Sequence, residues 1–299
     1  PKEIAQKLVK ELPLPDFIEQ IEAIGPYLNF KLKPSIVLEN VFELKEDYGR
    51  IYEVVKEKKW SPLRIVIEYP STNTNKPLHV GHIRNMLIGR SMANLFRYKK
   101  HEVFEVNLSN DRGIHICRSM LAYKKWGEDQ EPTKKSDHFV GDFYVKFGEM
   151  EKKDESLINE AYDLLRLWES EDPETRMLWE KMRRWALEGF EETYKKLDVQ
   201  FVKEYEESEI YTGGRDIILD NLEKGIFKKT EDGAVYADLE EENGLPNKVL
   251  LRRDGTALYI TQDIYLAFLK KHDFKYDKSL YVVASEQDLY FKQLFTVLE

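Results

Sequence analysis

A chain of 299 residues suffices for one large domain or two to three modest ones with a buried core. With 42% apolar and 34% charged residues it reads as globular, and it has no apolar run long enough to cross a bilayer and no signal-peptide pattern, so no membrane partner is expected. Its 46 basic and 55 acidic side chains give a net charge of -9, which argues against a nucleic-acid surface over the whole chain but not against a local basic track; the single cysteine, Cys117, excludes an intramolecular disulfide and suits the reducing cytoplasm.

Residues 1–19 read as an amphipathic helix and a Pro-rich turn, and 21–30 as a short strand or turn. Pro34 opens a helical stretch with Ile36, Val37, Val41, Phe42 and Leu44 on one stripe, and KEKK at 56–59 makes a basic linker. RIVIEY, from 64, is a strand of alternating apolar residues (Ile65, Ile67, Tyr69) stopped by Pro70. A polar turn follows, and a helix over about 79–98 begins with His79, Val80, Gly81 and His82. HEVFEVNL, 101–108, is a second strand, and NDRG precedes a helix through Ala122. This strand–helix alternation predicts a doubly wound α/β sheet of the nucleotide-binding kind. Residues 126–153 read as polar and Gly/Pro-punctuated, and 155–196 as long helices, one capped by Asp172 with Pro173 at its first position. Short β pieces follow at FVKEY, AVYADL and KVLLRRDG. A helix then begins near Tyr259, an apolar strand is predicted over Leu280–Ala284, and a last helix carries Glu286 and Asp288 in its first turn.

A strand, a turn and a helix start in that order place an anion at unpaired backbone N–H groups and the positive end of the helix dipole. His79 and His82, three apart, share one side of a turn there, where they either satisfy the loop or supply donors to a triphosphate. Gly81 allows a flat group to approach the backbone, Lys76 adds a cation, and Pro77 fixes the entry of the chain. Donors that strengthen in the transition state of attack at an α-phosphate are what such histidines offer, and neither has to be a general base. A metal at this pair is not expected, because Cys and Asp ligands at useful spacing are missing. Glu68, late in a half-buried strand, is costly unpaired, and a cationic or amine-bearing ligand would settle that cost. Asn73 and Asn75 make the turn dense in hydrogen-bonding groups.

Tyr259 and Asp263 fall on one helical face. Asp263 is either a helix cap or, with the phenol, a receptor for a planar guanidinium, to which Gln287 adds an amide. Asp111 and Arg112 read as a salt-bridged turn, and Trp168, Trp179 and Trp185 as core of the helical stretch.

These motifs, taken in order, resemble the class I aminoacyl-tRNA synthetases, and within them the arginyl-tRNA synthetases. The tetrapeptide at 79–82 is similar to the class I signature "HIGH". Its context, SPLRIVIEYPSTNTNKPLHVGHIRNMLIG, is continued by NLSNDRG, WALEGFEETYKKL, Glu207-Ser208, LRRDGTALYITQD and YVVASEQ. The resemblance covers about 60–299, and IEAIGPYLNFKL is similar to the end of the family's N-terminal additional domain. It implies a Rossmann-type parallel sheet with a helical insertion, preceded by a partial small α+β domain. The expected divisions are 1–45 for that domain, 46–60 for a linker, 61–125 for the first half of the catalytic domain, 126–200 for the insertion and 201–299 for the connective region and second half.

The resemblance further implies activation of L-arginine by ATP, with Mg2+ accompanying the nucleotide and no tightly bound cofactor, then transfer to the terminal ribose of an arginine tRNA. Members typically need the tRNA bound before they activate arginine. His79, Gly81, His82 and Lys76 would serve ATP, and Asn73 and Gln287 the α-amino end. Glu207, Tyr259 and Asp263 would read the guanidinium, and Glu68 would complete the pocket. Glu207 enters only through the resemblance. A cytoplasmic monomer is expected. The chain starts at Pro1 and stops before the family's second ATP-binding loop, "KMSKS" or its variant, and before the helical anticodon-binding domain, so weak or absent activation by this piece alone is expected. The rival readings are a free-standing nucleotidylyltransferase of the same superfamily, which needs no guanidinium pocket, and a synthetase-like module kept only for binding.

Overall fold

The computed structural model describes residues 1–44 and 61–299, in two compact units, Pro1–Ser61 and Pro62–Glu299. The predicted basic linker at 56–59 lies outside the described residues. In the first unit, α1 (Lys2–Glu11) packs through Ala5 against an antiparallel hairpin of β1 (Ile18–Ile24) and β2 (Tyr27–Leu32), and α2 (Pro34–Leu44) follows. The predicted short strand or turn is thus a full hairpin, closed by Gly25-Pro26. Gly25 takes the positive φ of 63° that a two-residue loop needs at its first position.

The second unit opens with β3 (Arg64–Glu68), α3 (Val80–Tyr98), β4 (Glu102–Ser109) and α4 (Ile114–Trp126). Three helices come next: α5 (Ser136–Glu151), α6 (Leu157–Glu169) and α7 (Pro173–Lys196). The sequence reading missed α5, yet Phe139, Phe143 and Phe147 recur every fourth residue and are all buried against α4 and α7. Trp168 and Trp185 are buried and Trp179 packs on the same cluster, as core of this helical block. The chain continues through β5 (Lys203–Glu206), α8 (Glu207–Ile210), α9 (Gly214–Glu223), β6 (Lys228–Lys229), β7 (Val235–Ala237), α10 (Glu240–Asn243), β8 (Lys248–Leu251), α11 (Tyr259–Phe274), β9 (Lys278–Tyr281) and α12 (Asp288–Leu298).

β5, β4, β3 and β9 form, in that order, an all-parallel sheet, and β6, β7 and β8 a separate antiparallel one. β3 is central and buried on both faces, so the half-buried alternation expected for it is replaced by the continuous burial of an interior parallel strand. One face carries Ile65, Ile67 and Tyr69 onto Met86 and Ala93 of α3, and the other carries Val66 onto Leu266 of α11. Strands are added outward from β3 in both directions, β4 and β5 on one flank and β9 on the other, and this switch point opens a crevice at the carboxyl ends of the strands where open α/β sheets bind ligands. The last strand begins two residues and ends three residues earlier than expected. Its pairing with β3 covers Lys278–Tyr281 and needs backbone rather than apolar side chains, and after Val282 N donates to Glu68 O the chain turns into a 3-10 segment, Ser285–Gln287. No helix of the described residues is long and apolar enough to cross a membrane.

Candidate active site

At the start of α3 the two histidines cap the helix themselves. His79 Nδ1 accepts the amide of Gly81 at 3.1 Å, His82 Nδ1 accepts the amide of His79 at 3.2 Å, and the rings stack with centroids 3.9 Å apart. This corrects one expectation, since two of the helix-start amides counted on for an anion are already taken. It also fixes the chemistry of the rings. A neutral imidazole that accepts at Nδ1 carries its proton on Nε2, so each ring presents an N–H donor away from the helix. Burial, then His79 and Lys76 nearby, push the His82 imidazole down to about 4, which keeps it neutral. Gly81 was expected to let a flat group of a ligand approach the backbone. The flat group over it is instead the His79 ring, since a Cβ there would meet His79 Cε1 at 2.9 Å.

Two cavities open at the carboxyl ends of the sheet. The smaller, about 340 Å³, is lined by Glu68, Tyr259, Asp263, Gln287, Tyr290 and Asn85, and so gathers four of the predicted residues. Asn85 lies one turn along α3 from His82, which sets the histidine-capped helix start beside this cavity. The larger, about 760 Å³, contains Glu207, Arg112 and Arg252, and Tyr259 lines both. Asn73, Lys76, His79, Gly81 and His82 line neither cavity. Asn73 instead bridges to Asn110 through the backbone, next to the smaller one.

Tyr259 is the first residue of α11 and Asp263 sits one turn on, so Leu258, not Asp263, is the N-cap and the capping reading of Asp263 falls. The Asp263 carboxylate accepts from the Tyr290 hydroxyl. Burial pushes Asp263 up to about 6 despite that bond, helped by Glu68 and opposed by Lys270. Glu207, at the start of α8, is 4% exposed, and burial pushes it up to about 7, with Arg112 opposing and Asp111 and Asp263 adding to the rise. Burial and Glu207 raise the Tyr259 phenol as well. Two carboxyls with raised proton affinity lie on adjoining cavities joined by a phenol, and their raised affinity persists although Arg112 opposes it at Glu207 and Lys270 at Asp263.

Glu68 departs from expectation, because its cation comes from within the protein. Lys270 Nζ donates to Glu68 Oε2 at 2.5 Å and to the Tyr281 hydroxyl at 2.9 Å. The reason is register: Glu68 follows Val66 on the strand face that packs on Leu266, and Lys270 is one helical turn beyond Leu266. Asp111 and Arg112 are both ion-paired, but not to each other. Asp111 Oδ2 takes Arg183 Nε at 2.9 Å and Ser208 Oγ at 2.8 Å, whereas Arg112 pairs with Glu169 and lies 3.9 Å over the Tyr211 ring. Sequence reasoning missed Lys270 and Tyr290, and it read Arg112 as part of a salt-bridged turn rather than as a wall of the larger cavity. For Lys270 the signal was a lysine in the apolar face of α11, seven residues from Asp263.

The sequence pattern of the family described as tRNA synthetases class I (R), catalytic domain, matches residues 50–299. The chain belongs to that family. Residues 1–32 match a second pattern, the arginyl tRNA synthetase N terminal domain, in line with the resemblance of the first unit. Among relatives, the arginine–tRNA ligase of Treponema denticola is 47% identical over 93% of this chain and 48% of its own length. That of Bacteroides thetaiotaomicron is 43% identical over all of this chain and 53% of its own. The chain thus spans about half the length of the curated relatives it matches. The crystal structure of the Plasmodium falciparum arginyl-tRNA synthetase superposes with a TM-score of 0.73 at 19% identity, over 99% of this chain and 51% of that one, which speaks for the fold. The Thermus thermophilus arginyl-tRNA synthetase gives 0.64 at 29% identity, over 90% and 45%. The parallel α/β sheet is therefore that of a class I synthetase catalytic domain.

Proposed function

We propose that the protein to which this chain belongs is an arginine–tRNA ligase, and that the two cavities and the histidine-capped helix form its amino-acid-activating site. The observation that carries this reading is the meeting of Glu207, Tyr259 and Asp263 at adjoining cavity walls, two buried carboxyls and a phenol. A guanidinium stays protonated at any physiological pH and its planar fork matches paired carboxylates. Gln287 and Asn73 hold the α-amino end, Glu68 forms a cavity wall, and the Nε2–H donors of His79 and His82, with Lys76, serve ATP, Gly81 leaving room for the His79 ring.

In the first step a carboxylate oxygen of arginine attacks the α-phosphorus of ATP. The new O–P bond forms as the bond to the bridging oxygen breaks, and pyrophosphate leaves with that electron pair. The histidine donors stabilise negative charge that grows on the phosphates, which calls for no proton transfer by either ring. In the second step a hydroxyl of the tRNA's terminal ribose attacks the arginyl carbonyl, the bond from that carbon to the phosphate oxygen breaks, and AMP leaves with the electron pair while the hydroxyl proton passes to the departing phosphate. Mg2+ enters with the nucleotide as part of the substrate; among the described residues no group of three His, Cys, Asp or Glu side chains is placed to hold a metal. Tied to the single cysteine's fit to a reducing compartment, the reading is of a cytoplasmic monomer.

Calorimetry of this chain with L-arginine, L-lysine and L-citrulline tests the pocket, with arginine expected to bind and the other two to bind much more weakly. Equal affinity for all three would remove the guanidinium reading. For the whole protein the test is arginine-dependent exchange of pyrophosphate into ATP in the presence of tRNA, run against all twenty amino acids. Exchange with no need for arginine would point to a nucleotidylyltransferase.

A further inference from the structure

Lys270 has no place in the reaction just described, yet it is fully buried, two helical turns from Asp263 on the same side of α11. Its ammonium is held by Glu68 Oε2 and the Tyr281 hydroxyl, and it also lies 4.0 Å from the centroid of the Tyr281 ring. Glu68 in turn lines the smaller cavity beside Asp263. An uncompensated Glu68 would be a third carboxylate at a site that reads one guanidinium.

We propose that Lys270 is a positioning residue of the amino-acid site: its ammonium occupies Glu68, so that an incoming guanidinium meets Asp263 and Glu207 and is not drawn to a third carboxylate. The inference rests on the arginine-site reading above and deepens it. Helical side chains lean toward the N-terminus, which carries the Lys270 ammonium back toward the turn of Asp263. The groups facing Asp263 are Glu68 from β3, Tyr281 from β9, Tyr290 from α12, Glu207 from α8, and Tyr259 and Lys270 from α11 itself. Among these Lys270 is the cation. Removing it alone leaves Glu68 charged beside Asp263, whereas removing both members of the pair takes away equal and opposite charges.

The test compares the wild-type chain with Lys270→Met, Glu68→Gln and the double variant. Aspartate carboxyls labelled with 13C are titrated by NMR, with Asp263→Asn for assignment, and L-arginine affinity is measured by calorimetry. The Asp263 midpoint, about 6 in the wild type, should rise by roughly one unit in Lys270→Met, fall in Glu68→Gln, and return near its starting value in the double variant. Arginine affinity near pH 5, below both midpoints, should drop about tenfold in Lys270→Met and recover in the double variant. A lysine that only fills the core would shift the Asp263 midpoint by its charge yet leave arginine affinity unchanged in a folded Lys270→Met, and that result, or a midpoint that does not move, overturns the proposal. Should Lys270→Met fail to fold, Glu68→Gln and the double variant still decide by the Asp263 midpoint and arginine affinity together. A wild-type chain that ignores arginine would overturn the arginine-site reading, and the Asp263 titrations would then still judge the coupling to Lys270.

Discussion

His79 and His82 each engage the helix start through Nδ1, with their rings stacked at 3.9 Å, which leaves the ring proton of each on Nε2. The capping role and the ligand role of the pair are one arrangement, because the cap selects the tautomer that leaves a donor free. His82 should accordingly stay neutral across the physiological range, and its ring signals should titrate near 4 in NMR rather than near the ordinary 6.5. The linkage has a definite sign. A histidine with a lowered folded value stabilises the fold above its unfolded value, and that contribution is lost as pH falls from 6.5 toward 4. Thermal unfolding of His82→Gln should thus lose less stability than the wild type over that interval. Parallel curves would show that the ring is not held neutral by its surroundings.

Substitution of Asp263 separates the two substrates. Asp263→Asn keeps the shape and the Tyr290 contact but removes charge from a site that is to hold a guanidinium. Breaking one member of a buried charge pair costs on the order of 3–5 kcal/mol, a loss of more than a hundredfold in arginine affinity. Glu207→Gln should act in the same direction, softened because Arg112 already faces Glu207. ATP binding should change little in either variant. Calorimetry that found arginine affinity intact in Asp263→Asn would take Asp263 out of the pocket.

Proton release on binding follows from the same two groups. Burial holds Glu207 near 7 and Asp263 near 6, and a bound guanidinium favours their ionised forms. Arginine affinity should therefore rise with pH through this interval and level off above it, with protons released as arginine binds near pH 7. Titrations in buffers of different ionisation enthalpy count those protons. Without ligand the sign is reversed. Carboxyls with raised folded values stabilise the fold below their unfolded values and lose that contribution as pH rises through 6 and 7, so arginine should raise the melting temperature more at alkaline than at acidic pH. An arginine effect independent of pH would be incompatible with this scheme.

How much of this could be read in the sequence depends on how far apart the partners lie along the chain. The strand–turn–helix around His79 was legible because all of its parts are local, and β3, α3, β4 and α4 stand close to where periodicity placed them. Glu68 was recognised as a carboxylate in need of a cation. Its partner Lys270 lies 202 residues away, brought to it by the parallel register of β3 and the packing of α11 on its far face, which no local pattern encodes. The same holds for Tyr290 and Asp263, which meet across α11 and α12. α5 was missed for a different reason. Its buried phenylalanine stripe is helical, but Gly141, Gly148 and the flanking polar residues made the run look like loop.

Gly81→Ala tests whether the set of the His79 ring matters for the nucleotide as well as for the helix. A Cβ at this position would sit 2.9 Å from His79 Cε1 and 3.0 Å from its Nδ1, so the ring must swing off its cap. Loss of a side-chain cap costs about 1 kcal/mol, and replacing a helical glycine by alanine returns about 0.8–1 kcal/mol. The two nearly cancel, so the melting temperature should move by only a few degrees in either direction. The Nε2 donor, by contrast, is re-aimed. ATP binding to this chain, and ATP–pyrophosphate exchange in the whole protein, should fall at nearly constant stability. A variant that keeps full ATP use with the ring displaced would show that His79 serves the helix alone, and that His82 carries the phosphate contact by itself.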